Sequence, residues 1–563
     1  MTTVPSVTGR PARREPRGLF NSRRGRVLRE NLIAYLLLSP AIVLIFTFGL
    51  FPVAFAFFVS VHQWRRFPGD YVGIDQYVRG LGDAAYVIFF WLALGAFAYG
   101  AWSLLRLFRL PTLSERARAA AYLLPGGVGA AAALLFLNWT AILLPLILNI
   151  PQRIRGQERV QGLFLSELAA SFQFPEAVNA GSTFLIVLIA AVVLTLFCWR
   201  VIKGANADSY WLWALIGCLF VAVAALILQV TLSAVSDAVE TARAAGTELP
   251  IWSQIILISA GAGMLAAAYW VWGRAMRAEH SSGLILKALA GVLLAAGGLI
   301  LVMELPRALA SADDDMLSGF GITIMFVVGT VPLQLAIGLF LAVLLFQNIK
   351  GKAMFRVVYF LPYIMPFVAT SIVFGILFSH RADSPVNNLI NALGIPDQKW
   401  LLEPQGIGRL LLGDGAGILA GPSLALIVIM LYTVWTYIGY DAVVFLAGLG
   451  NIPVELNEAA RIDGANGWAI FRHITLPLLS PTTFFLSLIA IIGTFQAFTQ
   501  IWIMRSPAAA NSVDTIGVYI FETIRSTDPN YGYGSALSFV LFGAILIFTL
   551  VQNRIQGRRV FYG

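Results

Sequence analysis

Residues 451–481 read NIPVELNEAARIDGANGWAIFRHITLPLLSP, a polar stretch set between two long apolar segments. Good helix formers and a polar face run from Glu455 to Ala465. Gly464 and Gly467 predict that this helix ends there and that the chain turns. Residues 468–474 predict a second short helix before the next apolar run. The pattern therefore predicts a short helix–turn–helix on the water side of a membrane, a shape that another protein can bind.

Ten positions in this stretch carry a resemblance: Glu458, Ala459, Ala460, Asp463, Gly464, Ala465, Phe471, Ile474, Leu476 and Pro477. Their identities and spacing resemble the EAA loop of ABC-importer permeases, in the carbohydrate-uptake branch of maltose type. The resemblance implies that residues 451–481 are a coupling loop, which docks into a cleft on a cytoplasmic ATPase subunit. In this interpretation Asp463 accepts backbone hydrogen bonds in the turn. The alternative is an ordinary connector between two membrane spans.

The composition excludes an ordinary soluble protein. The 563 residues are 59% hydrophobic and only 12% charged, and apolar runs of about twenty residues recur along the chain. We predict an all-α integral membrane protein with about twelve transmembrane helices. Cys198 and Cys218 lie in apolar segments and the four histidines are scattered, so neither a disulfide framework nor a metal site is predicted. The sequence contains no GxxxxGK[ST] loop, so any ATP would be bound by another chain.

The apolar segments, taken with the resemblance, which implies that the next core span should follow soon after the first, divide the chain into four parts. They are a basic cytoplasmic tail (1–30), a first core transmembrane helix with an outer segment (31–78), an inserted membrane module of about six helices (79–316) and a core (317–563). The six inserted spans are predicted at about 85–107, 121–148, 183–202, 210–232, 253–273 and 284–303. An even number of spans returns the chain to the side that it left. The module is either a docking or regulatory unit or a shell of helices that packs on the core. The second alternative is favoured, because no polar residues converge in its sequence.

The core is predicted to hold spans at 320–346, 424–450, 482–504 and 536–551, with one more that follows the first of these and runs to about residue 378. With the first helix these form six spans, and the resemblance implies the core of a type I ABC importer permease. Basic connections alternate with acidic or mixed ones such as Asp313 to Asp315. The net charge of +9 is therefore an orientation signal rather than a nucleic-acid footprint. It predicts a multi-pass protein of the cytoplasmic membrane with both termini inside. Residues 158–172 predict an amphipathic helix in the headgroup region.

Two core spans carry polar and aromatic residues suited to a solute path: Trp435, Tyr440, Asp441, Thr494, Gln496 and Gln500. A sugar requires hydroxyl and amide partners and aromatic faces on which to stack. The segment from Gly493 to Ala497 departs from the asparagine-rich pattern of the maltose permease, so the resemblance does not carry maltose specificity. For each aromatic the alternative is helix packing. A carboxylate inside a span, as at Asp441, is costly unless it is paired or hydrated.

The resemblance implies a permease subunit that moves a sugar or oligosaccharide by alternating access and catalyses no covalent change. It also implies partners: a second, related permease subunit, two ATPase subunits that bind ATP and Mg, and an extracytoplasmic substrate-binding protein. No catalytic residue, bound cofactor or nucleic-acid partner is expected of this chain. Alternatives are an ion-coupled secondary transporter, for which ionisable residues at mid-membrane are few, a membrane enzyme such as a lipid-linked sugar transferase, and an ABC permease for a non-sugar solute such as a glycerol phosphate ester.

Overall fold

A computed structural model describes residues 23–156, 162–202, 206–246, 249–277, 281–347, 349–413 and 420–557. This part is helical, and its only extended pairings are two isolated bridges, His62 with Tyr71 and Gly406 with Ser423. Residues 1–22 of the predicted tail lie outside the described residues, and the first helix begins at Arg23, inside the boundary predicted at residue 30. The contacts divide the chain between Phe58 and Val59 into two units, which are described separately.

The first part of the chain contains α1 (Arg23–Ile45), a π-helical turn (Phe46–Leu50), α2 (Phe51–Ser60) and α3 (Asp75–Leu81). Glu30–Ser60 is long and apolar enough to cross a membrane, as predicted.

Nine helices follow between residues 84 and 308: α4 (Ala84–Phe108), α5 (Leu113–Ala121), α6 (Leu123–Leu148), α7 (Ile150–Arg153), α8 (Leu163–Ser171), α9 (Pro175–Val201), α10 (Ala207–Ala244), α11 (Ile251–Ala275) and α12 (Ser281–Ala308). The six long ones coincide with the six predicted inserted spans. They pack as pairs, α4 on α10, α6 on α9 and α11 on α12. Of the predicted amphipathic helix, Leu163–Ser171 is helical and residues 157–161 lie outside the described residues.

The remaining helices are α13 (Asp314–Phe346), α14 (Lys352–Ile364), α15 (Phe367–Leu377), α16 (Pro385–Ala392), α17 (Ile407–Leu412), α18 (Leu424–Gly450), α19 (Val454–Ile462), α20 (Gly467–Ile470), α21 (Leu476–Leu478), α22 (Ser480–Phe495), α23 (Thr499–Met504), α24 (Ala510–Val513), α25 (Ile516–Arg525) and α26 (Tyr531–Gln556). Among the described residues ten helices can cross a membrane, or twelve if two bent pairs each count as one span. The prediction of an all-α membrane protein with about twelve spans is confirmed.

Two of the predicted spans are not straight. Helices α14 and α15 meet at 97°, and the segment Gly467–Leu478 meets α22 at 63°. The span predicted at 482–504 is also interrupted, because α22 ends at Phe495 and α23 begins only at Thr499. The predicted span at 482–504 therefore consists of two helices.

Two buried clusters organise the unit that begins at Val59. The larger lies around α18, where Phe326, Ile429, Tyr432 and Ile501 are fully or almost fully buried. The second joins the helices between residues 84 and 258 to α3 and α26: Ile74, Tyr77, Ala85, Val235, Ile255 and Ala536 pack together. The inserted helices therefore share a core with the rest of this unit.

Candidate functional site

The 451–481 loop opens with α19, which extends from Val454 to Ile462. Pro453 precedes it in an extended conformation (φ −57°, ψ 130°), where its missing N–H leaves no donor unpaired. None of the residues in α19 is buried. Glu458 and Ala459 are exposed, and Ala460 is half-buried. A polar helix with an open outer face is thus present where the sequence predicted one.

The turn after α19 depends on Gly464, whose φ is +82°. The N–H of Ala465 donates to the carbonyl of Ala460 at 2.9 Å, and the N–H of Gly464 donates to that of Arg461 at 3.1 Å. This pair of bonds is a Schellman motif with glycine in the left-handed position. Among the described residues the turn is closed by main-chain bonds rather than by the carboxylate expected of Asp463, which remains exposed.

The second half of the loop is a short bent helix. Asn466 caps α20 by accepting a hydrogen bond from the N–H of Ala469 at 2.8 Å. A π-helical turn (Phe471–Thr475) and α21 then lead to the 63° bend before α22. Phe471 and Ile474 are half-buried, whereas Leu476 and Pro477 are exposed.

Large apolar side chains stand on the open face of this loop. Val454 is 62% exposed, Ile462 87% and Trp468 67%, and Trp468 stacks on Phe471 with 5.6 Å between ring centroids. A cavity of about 360 Å³ separates the loop from the ends of α13 and α18. Exposed apolar side chains rimmed by charged ones are typical of a protein-binding surface.

The candidate solute-path residues of α18 point in different directions. Trp435 packs on Phe374 of α15, with centroids 5.7 Å apart, and lines a cavity of about 450 Å³ beside the α14–α15 bend. Tyr440 instead stacks on Tyr363 in the last turn of α14, at 4.9 Å. Asp441 is 2% exposed and faces α13.

The contact of Asp441 with α13 is close. A Cβ added at Gly338 would lie 2.7 Å from the Cβ of Asp441, so only glycine admits this side chain. One carboxylate oxygen of Asp441 is buried and accepts no hydrogen bond from the described residues. The structure therefore places this carboxylate between two helices and away from the cavity beside Trp435.

The other three candidates surround the interruption between α22 and α23. Thr494 lies in the last turn of α22, Gln496 is its C-terminal cap, and Gln500 belongs to α23. Thr494 and Gln500 are each 6% exposed, whereas Gln496 is exposed. Interrupted helices free main-chain groups inside the membrane, and transporters place solutes at such points. The assignment of these six residues to a solute path stays a prediction.

Sequence reasoning missed Tyr363, which carries the stacking contact of Tyr440. The sequence around Tyr363 does indicate a bend, because Pro362 and Pro366 flank this residue. The partner helix is far along the chain, so the contact could not be predicted from spacing. The part of the chain that the structure describes holds no cluster of three metal-ligating side chains.

Comparison with known proteins identifies similar membrane components. A profile of the family described as binding-protein-dependent transport system inner membrane component matches residues 334–561. The chain is 30% identical to the lactose transport system permease protein LacF of Rhizobium radiobacter over 41% of this chain and 72% of that protein. It is 32% identical to the arabinooligosaccharides transport system permease protein AraP of Bacillus subtilis (strain 168) over 40% of this chain and 65% of that one.

A further permease and a solved transporter structure are also similar to this chain. The sn-glycerol-3-phosphate transport system permease protein UgpA of Agrobacterium fabrum is 29% identical over 45% of this chain and 79% of that protein. Among solved structures, a bacterial alginate ABC transporter in complex with an alginate pentasaccharide-bound periplasmic protein aligns with a TM-score of 0.38 and 19% identity. The alignment covers 45% of this chain and 81% of that chain.

Proposed function

Because the chain belongs to the family of binding-protein-dependent transport system inner membrane components, we propose that it is the membrane subunit of an ATP-driven importer and that its 451–481 loop docks on the ATPase. The subunit moves a solute by alternating access and makes or breaks no covalent bond. ATP and Mg are bound by the partner, since the sequence carries no phosphate-binding loop.

The observation that supports this proposal most is the geometry of the loop. It is rigid, because α19 is closed by the Schellman bonds at Gly464 and α20 is capped by Asn466. It also exposes Ile462 and Trp468, which a partner surface would cover. Glu458 is an exposed carboxylate that can pair with a basic group of the partner. A rigid element joined directly to α18 and α22 can transmit movement of an ATPase to the two helices that carry the solute-path candidates.

The proposed solute is a sugar or oligosaccharide. The lactose and arabinooligosaccharides permeases among the relatives support this class. A glycerol phosphate ester, the solute in the name of the relative UgpA, is the alternative. The six solute-path candidates include no lysine or arginine to bind a phosphate, and their aromatic and amide groups suit a neutral polyol.

We further propose the complete assembly. A second, related permease subunit pairs with this one in the cytoplasmic membrane, two ATPase subunits lie beneath, and an extracytoplasmic binding protein delivers the solute. Both termini and the 451–481 loop face the cytoplasm, in keeping with the alternating basic connections.

Uptake by proteoliposomes that contain the whole assembly tests this function. We expect radiolabelled lactose or an arabinooligosaccharide, the solutes in the names of two relatives, to accumulate only with internal ATP and the binding protein. Collapse of ion gradients by an ionophore should leave uptake unchanged. Uptake that follows an ion gradient without ATP would instead identify an ion-coupled transporter. Accumulation of glycerol 3-phosphate with no sugar uptake would reassign the solute class.

A further inference from the structure

A pocket of about 560 Å³ with several polar side chains in its wall lies among the inserted helices, outside the residues that the family profile matches. Its walls come from the start of α4, the start of α11 and the end of α12. The polar lining consists of Asp83, Ser253, Gln254, Glu304, Arg307 and Ser311. Leu249, Pro250 and Leu257 add apolar wall. The volume falls within the range of small-molecule sites.

The pocket is fixed rigidly to the core. Gly82, just before α4, has a φ of +59°, and a Cβ added there would lie 2.7 Å from the hydroxyl of Ser311 and 2.8 Å from the carbonyl of Ala308. Asp313, at the start of α13, donates its N–H to the carbonyl of Gly80 at 3.2 Å. The segment before α4 and the segment between α12 and α13 are therefore in close contact at this end of α13, and this contact holds the pocket walls in place.

Gln254 is the residue that marks the pocket as a ligand site. It is 4% exposed, lines the pocket, and its side-chain oxygen accepts no hydrogen bond from the described residues. Asp83 lines the same pocket, and because its carboxylate can accept only from the amide nitrogen of Gln254, it offers no donor to the amide oxygen. A buried acceptor without a donor is costly, because desolvation of the group is not compensated. A ligand that donates a hydrogen bond at this position would remove that cost.

The other polar groups narrow the chemistry of the ligand. Glu304 has a side chain only 13% exposed and pairs with Arg307, with 2.9 Å between Oε1 and Nη1. The pocket thus offers two carboxylates and an amide oxygen as acceptors, together with one guanidinium as donor. A hydroxyl group both donates and accepts, so neighbouring hydroxyls can bind a carboxylate and the guanidinium together. The two carboxylates outnumber the single guanidinium, so the pocket disfavours a phosphate. An ammonium ion could pair with a carboxylate but has no acceptor to offer Arg307, whereas a hydroxyl group serves both.

We propose that this pocket, built around Gln254, Asp83 and Glu304, binds a neutral polyhydroxylated solute such as a saccharide, separately from the solute path at α18 and α22. The apolar wall would contact the C–H faces of the ring. The site does not depend on the proposed transport function, since it lies at the far end of α13 from the 451–481 loop. That helix has 33 residues and is about 50 Å long.

Binding to the purified full-length protein tests the proposal. Maltose, lactose and raffinose serve as neutral probes and putrescine as the charged one, in titration calorimetry. Hydrogen exchange locates the bound probe, and we expect protection of residues 249–257 and 304–311. Gln254→Leu removes the acceptor and should weaken saccharide binding by about tenfold. Gln173→Leu makes the same change at an exposed position between α8 and α9 and should leave binding unchanged.

A second variant guards against a folding defect in Gln254→Leu. Ala310 is exposed at the mouth of the pocket, so Ala310→Trp blocks entry without altering a buried side chain. Protection lost in both variants and retained in Gln173→Leu supports the proposal. Saccharide binding that neither variant affects, protection confined to α18 and α22, binding of putrescine alone, or no binding of any probe overturns it. None of these outcomes changes the requirement of uptake for ATP, so the transport function stands or falls separately.

Discussion

At the scale of single residues, Asp313 joins three elements through one carboxylate. Its carboxylate caps α13 by accepting a hydrogen bond from the N–H of Met316 at 3.1 Å. It also accepts hydrogen bonds from the hydroxyls of Tyr519 and Tyr533, each at 2.8 Å. Burial acts to raise the pKa of Asp313, but these donors and the charge of Arg79 outweigh it, so the pKa lies below its usual value. The sequence marks Asp313 only as part of an acidic connection, because its two tyrosine partners lie about two hundred residues further along the chain.

Replacement of Asp313 by alanine should destabilise the fold. It removes the acceptor of the buried Tyr533 hydroxyl, at about 1–3 kcal/mol, and that of the half-buried Tyr519 hydroxyl. We expect the melting temperature of the purified protein to fall clearly in Asp313→Ala. The neighbouring Asp314 is exposed, so Asp314→Ala is the matched control and should melt like the parent. Equal melting temperatures for the two variants would contradict the role assigned to Asp313.

Asp514 gives stability a dependence on pH. Its carboxylate lies 2.9 Å from the Arg505 guanidinium. Burial raises its pKa to about 6, although the charge of Arg505 opposes this and Glu522 adds to it. The pKa of Asp514 is higher in the folded protein than the unfolded value of about 3.9. The group therefore contributes fully to the free energy of unfolding below about pH 3.9, and this contribution is lost as the pH rises through about 6. The melting temperature of Asp514→Asn minus that of the parent should therefore increase as the pH rises from about 4 to about 7. A constant or shrinking difference would be inconsistent with this shift.

At the scale of elements, the contact of α14 with α18 positions the stacked Tyr363 and Tyr440. A Cβ added at Gly439 would lie 1.7 Å from the carbonyl oxygen of Tyr359, so only glycine allows this approach. Gly439→Ala should force the helices apart, lower the melting temperature and reduce uptake. Gly450, in the same helix, has open space around it, and Gly450→Ala should be neutral. Similar behaviour of the two variants would show that α14 and α18 do not pack in this way.

The solute-path candidates in α18 and at the interruption between α22 and α23 can be tested by single substitutions. Alanine at Thr494, Gln496, Tyr440 or Asp441, one at a time, should lower sugar uptake or change sugar preference while the protein still inserts in the membrane. Thr140→Ala is the control, because that exposed hydroxyl bonds only within its own helix, to Leu137. If all four variants transport like the parent, the solute path lies elsewhere.

The straight spans could be predicted from sequence, whereas the angle of the bend between α14 and α15 and the interruption after α22 could not. Leu424–Gly450 was predicted to the residue, because an apolar run of that length satisfies its main chain in a membrane only as a helix. Pro362 and Pro366 indicate a bend near α14, but its 97° angle depends on packing against Gly439. The interruption after Phe495 has no proline, and the weak helix formers Gly493 and Thr494 did not predict it. The 451–481 loop was predictable since its turn is closed by neighbours in sequence.

At the scale of the whole molecule, α13 connects two distant regions. The proposed saccharide pocket adjoins its first residues, and the cavity behind the 451–481 loop is lined by Val343 and Phe346 near its end. The inserted helices share a buried cluster with α3 and α26, so they are packed on the core rather than tethered to it. Changes in the loop should consequently leave the inserted helices intact, and loss of ATPase binding can be measured on a folded protein.

Co-purification of the ATPase with Gly464→Asp protein tests whether the 451–481 loop is the docking element. The φ of +82° penalises any side chain at Gly464 by about 1 kcal/mol or more, and an added carboxylate disturbs the proposed contact surface. Gly467→Asp places the same side chain in the same loop at a helix start that tolerates it. We expect ATPase binding and solute-stimulated ATP hydrolysis to be lost in Gly464→Asp and retained in Gly467→Asp. Parental values of both in Gly464→Asp would contradict the assignment of residues 451–481 as the docking element.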